Sequence, residues 1–324
     1  MTSVNELCGL ISVNKPAGMS SRDVVNRVER AARGWAKQLA EAEQAAELAT
    51  EHPGLQRSKK IKVGHAGTLD PIASGVLVLC IGTATRLIEY VQRMPKAYRG
   101  TFLLGQSSES DDVESELVPL ANAPELTLEE LEQAAAKFVG NVEQRPPAFS
   151  AVKIEGQRAY KLARRGKQVD MPLRTVRIDS LEIVEYEYPR LVFDTRCGSG
   201  TYIRSLGRDL AESLGSAAVM SELVRTGIGP FQVEEASELD AIWPETLAEH
   251  LQPPLLALAG LPQVTLDAAE VEEIKNGRRV EIDESQISAN ANQEIVAVDA
   301  GGRLAAILVP RESGLFGPKC NFLR

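Results

Sequence analysis

The chain has 324 residues, of which 44% are apolar and 25% charged, with a net charge of −9. That length suggests two domains, and the composition is that of a soluble globular protein rather than a disordered one. The longest apolar run, VLVLCI, is too short to span a bilayer, and an acidic chain taken alone argues against a polyanionic partner.

In chain order, residues 9–13 predict a short strand, followed by the Pro/Gly turn NKPAGMSS. Ser20 or Ser21 can cap a long helix through RDVVNRVERAARGWAKQLAEAEQAAELA that stops at EHPG. The basic RSKKIK then leads into KVGHAGTLDPIASGVLVLCIGTAT. Within it GVLVLCIG predicts a buried strand, and ATRLIEYVQ a short helix. AYRGTFLLG alternates as a strand does. Thr127 with Glu130 forms a capping-box pattern that predicts a helix over 127–139. AYKLARRG predicts a short helix, and VRIDSLEIVEYEY and RLVFDTRCG predict strands. TYIRSLGRDLAESLG predicts a helix stopped by Gly215. The proline-rich HLQPPLLALAGLP marks a junction to a small C-terminal module with the β-like runs EIVAVDA and RLAAILVP. This mixed order favours an α+β fold, with domains expected at 1–252 and 253–324.

Several chemistries find no support. The four cysteines, Cys8, Cys80, Cys197 and Cys320, form no CxxC pair and the three histidines are scattered, so no metal site is expected. CGSGTYIRSLG has Ile203 where a dinucleotide fingerprint needs its third glycine, and no GxxxxGK[ST], HExxH or GxSxG occurs. The first residues lack a secretory signal pattern. A cytoplasmic protein with reduced thiols and no cofactor is the expectation.

The charge is segregated. Residues 109–132 carry nine acids and no Lys or Arg, and residues 145–177 carry nine bases and two acids. Such a basic segment can hold a phosphate backbone on an acidic protein; both segments can equally be solvated faces.

In KVGHAGTLDPIASGVLVLCIGTAT, Asp70 is the one charged side chain after the opening lysine. A carboxylate among Leu69, Ile72, Val76 and Leu77 must reach water or find a cation. It either closes an Asp-Pro turn or is an activated acid in a dry pocket walled by IASGVLVLCIG.

At these residues the chain resembles the TruB-type pseudouridine synthases, whose catalytic signature GHAGTLDPIASGVL looks like. GLISVNKPAGMSSRDVV, KAYRGTFLLG, QRPPAFSAVKIEGQRAYKLARRG and GSGTYIRSLGRDL resemble further blocks of that family in the family's order. GLFGPKCNFL resembles, more weakly, the end of its PUA-like C-terminal domain. The resemblance implies a mixed β-sheet catalytic domain with flanking helices plus a small, mostly β PUA-like domain. It implies isomerisation of uridine 55 in the T-loop of tRNA, with Asp70 as the catalytic carboxylate. Tyr98 would stack on the flipped uracil, and Arg204 would pair with the aspartate, with Tyr202 beside it. His65 would assist in opening the loop, and Leu223 would line the base pocket. Lys15 and Pro16 would support the site.

This chemistry breaks N1–C1′, turns the base and joins C5 to C1′, so it needs no redox cofactor or metal. The carboxylate either attacks C1′ or removes a proton from C2′. A tyrosine face can hold the freed base, and flipping it out costs a few kcal/mol. Backbone contacts from Lys59, Lys60, Lys62, Lys153, Arg158, Arg164 and Arg165 are expected to supply that energy, with the T-arm of tRNA as partner. A monomer without an obligate protein partner is expected. The alternatives are a guide-RNA-dependent relative and a tRNA-folding RNA-binding protein. Two features depart from the family pattern: an insertion around 35–53, expected to be a helical surface excursion, and Val224, which stands where an arginine contacting RNA is expected.

Overall fold

The computed structural model describes residues 7–47, 61–150, 152–154, 156–159, 162, 170–282, 293–312 and 314–323. The first elements are β1 (Gly9–Lys15), α1 (Ser21–Glu47), β2 (Val63–His65), β3 (Ser74–Ile81), α2 (Ile88–Arg93), β4 (Lys96–Leu104) and α3 (Leu128–Ala136). They continue through β5 (Gly140–Gln144), β6 (Arg174–Glu187), β7 (Arg190–Cys197), α4 (Ile203–Glu212), β8 (Ala218–Ile228), β9 (Phe231–Gln232) and β10 (Ser237–Glu238). Ten strands form one mixed sheet in the order β10-β1-β3-β8-β4-β7-β6-β5, with β2 pairing on β3 and β9 on β8. The β1–β10 and β3–β8 pairs are parallel and the others antiparallel.

The central strand β3 is buried on both faces. Val76, Val78 and Cys80 pack in one cluster with Leu10, Tyr90, Val91 and Ile228. Leu77, Leu79 and Ile81 pack in another with Val24, Val25, Val28 and Ala32 of α1. This corrects the expectation that VLVLCI walls a substrate pocket. Its lack of charge comes from a strand with no solvated side, for which a continuous apolar run is the normal pattern.

The two serines at the start of α1 divide their work. Ser20 is the cap: its Oγ accepts from the Asp23 N–H at 3.2 Å, and Asp23 Oδ2 accepts from the Ser20 N–H at 3.1 Å. Ser21 is buried and serves the site described below. The helix runs unbroken into the 35–53 insertion as far as Glu47, with Ala36 buried and Gln38 Nε2 donating to Glu245 at 2.6 Å. The end expected at EHPG lies outside the described residues. The Thr127–Glu130 capping box is present and α3 is one turn shorter than its sequence pattern. The helix expected in AYKLARRG falls largely outside the described residues.

A second, five-stranded sheet is built from β11 (Gln263–Thr265), β12 (Val280–Glu281), β13 (Ile295–Val298), β14 (Leu304–Glu312) and β15 (Leu315–Asn321) in the order β11-β13-β14-β15-β12, with α5 (Ala268–Lys275) beside it. It is fused to the first. Val296, Val298 and Ile307 share the cluster of Leu10 and Val76, and Lys319 Nζ reaches Glu89 at 2.9 Å, Glu294 at 2.7 Å and the Tyr90 hydroxyl at 3.1 Å.

Candidate active site

The loop from Ala66 to Ala73 joins β2 to β3 and is clamped from both sides. From the N-terminal side, Ser21 Oγ donates to the Leu69 carbonyl at 3.0 Å and accepts from its N–H at 2.8 Å. The Gly18 N–H donates to the Pro71 carbonyl at 2.8 Å. Lys15, fully buried, donates to the carbonyls of Pro16 (2.9 Å), Met19 (2.5 Å) and Pro71 (3.4 Å). Burial brings its ammonium down to about 8, opposed by the nearby Asp70 charge. From β8, buried Arg225 donates to the carbonyls of Val76 (2.7 Å), Gly67 (3.1 Å) and Thr68 (3.4 Å). Gly75 permits this approach: at φ +96°, a Cβ there would lie 2.3 Å from the Arg225 carbonyl oxygen.

The loop presents Asp70 to Arg204, with Oδ2 and Nη2 2.9 Å apart. Arg204 lies in the first turn of α4 yet its side chain is only 6% exposed, and every contact fixes its direction. Nη1 meets Asp112 Oδ2 at 3.1 Å and donates to the Ser110 carbonyl at 2.8 Å; Nη2 donates to the Phe149 carbonyl at 3.1 Å. Asp112 is itself held, Oδ1 accepting from Ser110 Oγ at 2.5 Å and from the Glu114 N–H at 3.1 Å. A planar guanidinium can serve two carboxylates and two carbonyls at once, which an ammonium cannot. The Asp70 side chain is 40% exposed, which corrects the expectation of a carboxylate shut in a dry pocket: it stands at an open rim.

Tyr98 and Leu223 stand on the neighbouring strands β4 and β8, packed in the apolar cluster that also takes in Leu69, Ile72 and Ala73 of the loop. Tyr98 pairs across the sheet with Arg225, and burial pushes its pKa up. Tyr202 caps α4 and its ring lies under Arg174, with Cζ 4.5 Å from the ring centroid. His65 ends β2 half-buried, its Nδ1 without a hydrogen-bond partner among the described residues; burial first, and Arg225 second, lower its pKa.

Of the expected backbone contacts, Lys62 is exposed. Lys153 and Arg158 pair across a short hairpin, described in backbone only. Lys59, Lys60, Arg164 and Arg165 lie outside the described residues. Val224 is half-buried beside Arg225, and that arginine is turned inward onto the loop. Sequence reasoning missed Asp112 and Arg225. Asp112 was hidden in an acidic segment that composition reads as solvated, although its flanking Ser110 is a local hint of a held carboxylate. Among the described residues, no group of His, Cys, Asp and Glu is arranged to hold a metal ion, and no helix is long and apolar enough to cross a membrane.

Comparison with known proteins matches residues 55–203 to the TruB family pseudouridylate synthase N-terminal domain. A protein of Rhodopirellula baltica called tRNA pseudouridine synthase B is 40% identical over 281 residues, 84% of this chain and 75% of that one. One of the same description from Synechococcus sp. (strain WH7803) is 38% identical over 325 residues, 97% of each chain. A solved structure, a Cbf5–Nop10–Gar1 complex, superposes with a TM-score of 0.64 at 25% identity, covering 94% of this chain and 79% of that one. The large mixed sheet, joined to a PUA-like C-terminal sheet, is the architecture of the pseudouridine synthases. Within that class the chain belongs to the TruB family.

Proposed function

We propose that this chain converts uridine 55 in the T-loop of tRNA to pseudouridine, with Asp70 as its catalytic carboxylate. The 2.9 Å pair between Asp70 and a buried, fully braced Arg204 carries this reading. It fixes one carboxylate at an open rim where a sugar can approach, and the names of the relatives supply the substrate class. The target nucleotide leaves its stack and its uracil lies against Tyr98 and Leu223, with Tyr202 and His65 at the margins. Asp70 acts at C1′ or at C2′. The N1–C1′ bond breaks, the base turns, C5 joins C1′, and the C5 proton is lost while N1 gains one, so the product is an isomer. Because the carboxylate is open to solvent in the free protein, the bound RNA itself has to exclude water from the intermediate. Lys59, Lys60, Lys62, Lys153, Arg158, Arg164 and Arg165 bind the T-arm backbone, and residues 253–324 add a second RNA contact. The protein acts as a cytoplasmic monomer without a guide RNA or protein partner. Likeness over 97% of each chain to a protein called tRNA pseudouridine synthase B supports this over the guide-RNA alternative.

Incubation with unmodified tRNA transcript, followed by mapping of pseudouridine, tests the reading. The expected result is modification at position 55 alone, retained tRNA binding and no product with Asp70→Asn. Product elsewhere, or turnover by the variant near the wild-type rate, would overturn it.

A further inference from the structure

We infer that Gln144 and Arg174 are positioning residues that fix Tyr202 and, through it, the first turn of α4 against the carboxylate loop. The role rests on the proposed reaction. Tyr202 is the N-cap of α4, but no side chain caps that helix from within. The fixing comes instead from the far end of β5. Buried Gln144 accepts from the Tyr202 N–H through Oε1 at 2.8 Å and donates through Nε2 to the Tyr202 carbonyl at 3.0 Å. Only a primary amide offers a donor and an acceptor on one fork.

Arg174 stands directly opposite Gln144 in the β5–β6 register. It places its guanidinium over the Tyr202 ring, 4.5 Å from the centroid, and donates through Nη2 to the Gly200 carbonyl. Its Nε has no partner in the described residues, so the ring and Gly200 are its holds. One cross-strand pair therefore grips both the main chain and the ring of a single residue. The residue that follows β5 extends the grip: the Arg145 carbonyl accepts from Ser205 Oγ at 2.9 Å and from Arg208 Nη2 at 3.0 Å.

Packing alone does not call for this arrangement, because Leu206 and Leu210 already seat α4 in the core. The extra contacts concentrate at the end of α4 that carries Arg204, two residues past Tyr202. Arg204 follows in the same helical turn, so a displacement of Tyr202 passes to the guanidinium that meets Asp70. A misplacement of about 1 Å at a reacting centre can cost about 100-fold in rate.

Three variants test the clamp. Gln144→Glu removes the donor and sets a carboxylate against the Tyr202 carbonyl. Arg174→Met removes the cation from the ring. Arg174→Lys restores a cation that can still sit on the ring face. Each is compared with wild type in single-turnover pseudouridine formation on tRNA transcript, in equilibrium tRNA binding and in thermal melting. The expected result is a rate at saturating protein lowered about 10- to 100-fold in Gln144→Glu and Arg174→Met, with tRNA affinity near wild type and partial recovery in Arg174→Lys. If Gln144→Glu does not fold, the Met and Lys variants at position 174, which is only half-buried, carry the comparison. Unchanged saturating rates, or weakened binding with an intact saturating rate, overturn the clamp while leaving the reaction standing. A wild type that forms no pseudouridine overturns the reaction itself, and is seen before any variant is compared.

Discussion

Arg204 and Asp112 form an ion pair closed to solvent, with side chains 6% and 2% exposed and 3.1 Å between Nη1 and Oδ2. The pair is the inner half of a relay whose outer half is Arg204 with the half-exposed Asp70. Removing one member of a buried pair leaves the other uncompensated, at about 3–5 kcal/mol. Asp112→Ala is expected to destabilise the protein by that order and to lower turnover by more than tenfold, as the guanidinium loses its inner anchor. Asp112→Asn keeps the shape and is expected to cost less stability while still impairing turnover. Urea unfolding beside single-turnover kinetics measures both; a wild-type rate in Asp112→Asn would show that the inner pair only supports folding.

Gly207 sets the height of α4 over the sheet. A Cβ at that position would lie 2.0 Å from the Phe102 ring, which is itself stacked on Phe193 at 4.9 Å between centroids. Gly207→Ala is expected to cost about 1–3 kcal/mol, the usual range for overpacking, and to lift Arg204 away from Asp70. The expected signature is a lowered melting temperature together with a loss of turnover beyond that from unfolding. A variant as stable and active as wild type would show that the ring can step aside.

Ser21 offers a test of the loop clamp. It is buried, and satisfies both polar groups of Leu69. Ser21→Ala leaves that buried N–H and C=O unpaired, for about 1–3 kcal/mol, without touching the cap provided by Ser20. The expected result is faster amide hydrogen exchange in residues 66–73 with α1 protection retained. Equal loss of protection along α1 would mean that Ser21 holds the helix rather than the loop.

His65 gives the protein a pH-dependent increment of stability. Its pKa in the fold lies below the ordinary 6.5, chiefly through burial. As pH falls below 6.5, the unfolded chain takes up a proton there before the folded one does, so stability falls with it. The increment is present above 6.5 and lost as pH drops through the lowered value. His65→Gln is therefore expected to lose less melting temperature than wild type between pH 7.5 and 5.5. Parallel pH profiles for the two proteins would assign the acid sensitivity to other groups.

Local chemistry was legible in the sequence wherever a few adjacent residues decide the structure. The Thr127–Glu130 cap is one such case; the Gly215 turn is another, at φ +72°. Position in the sheet was not. A run such as VLVLCI reads the same whether it lines a cavity or lies between two cores, because period-2 alternation vanishes when both faces are buried. Asp70 and Arg204 lie far apart in sequence, and only the family resemblance joined them in advance. Asp112 was obscured for the opposite reason: the acids around it are mostly exposed, and what sets it apart is a distant arginine. Ser20 and Ser21 were interchangeable on paper and became distinct once Leu69 was brought beside the second of them.

The ties of Lys319 to Glu89 and the Tyr90 hydroxyl fasten the second sheet to α2, beside the apolar cluster that Val296 and Ile307 share with Leu10 and Val76. On the proposed reaction, an RNA that touches both sheets is expected to bind best when the interval between its two points of contact matches theirs. A transcript whose stem is lengthened or shortened between those points is expected to bind more weakly, whatever its base sequence.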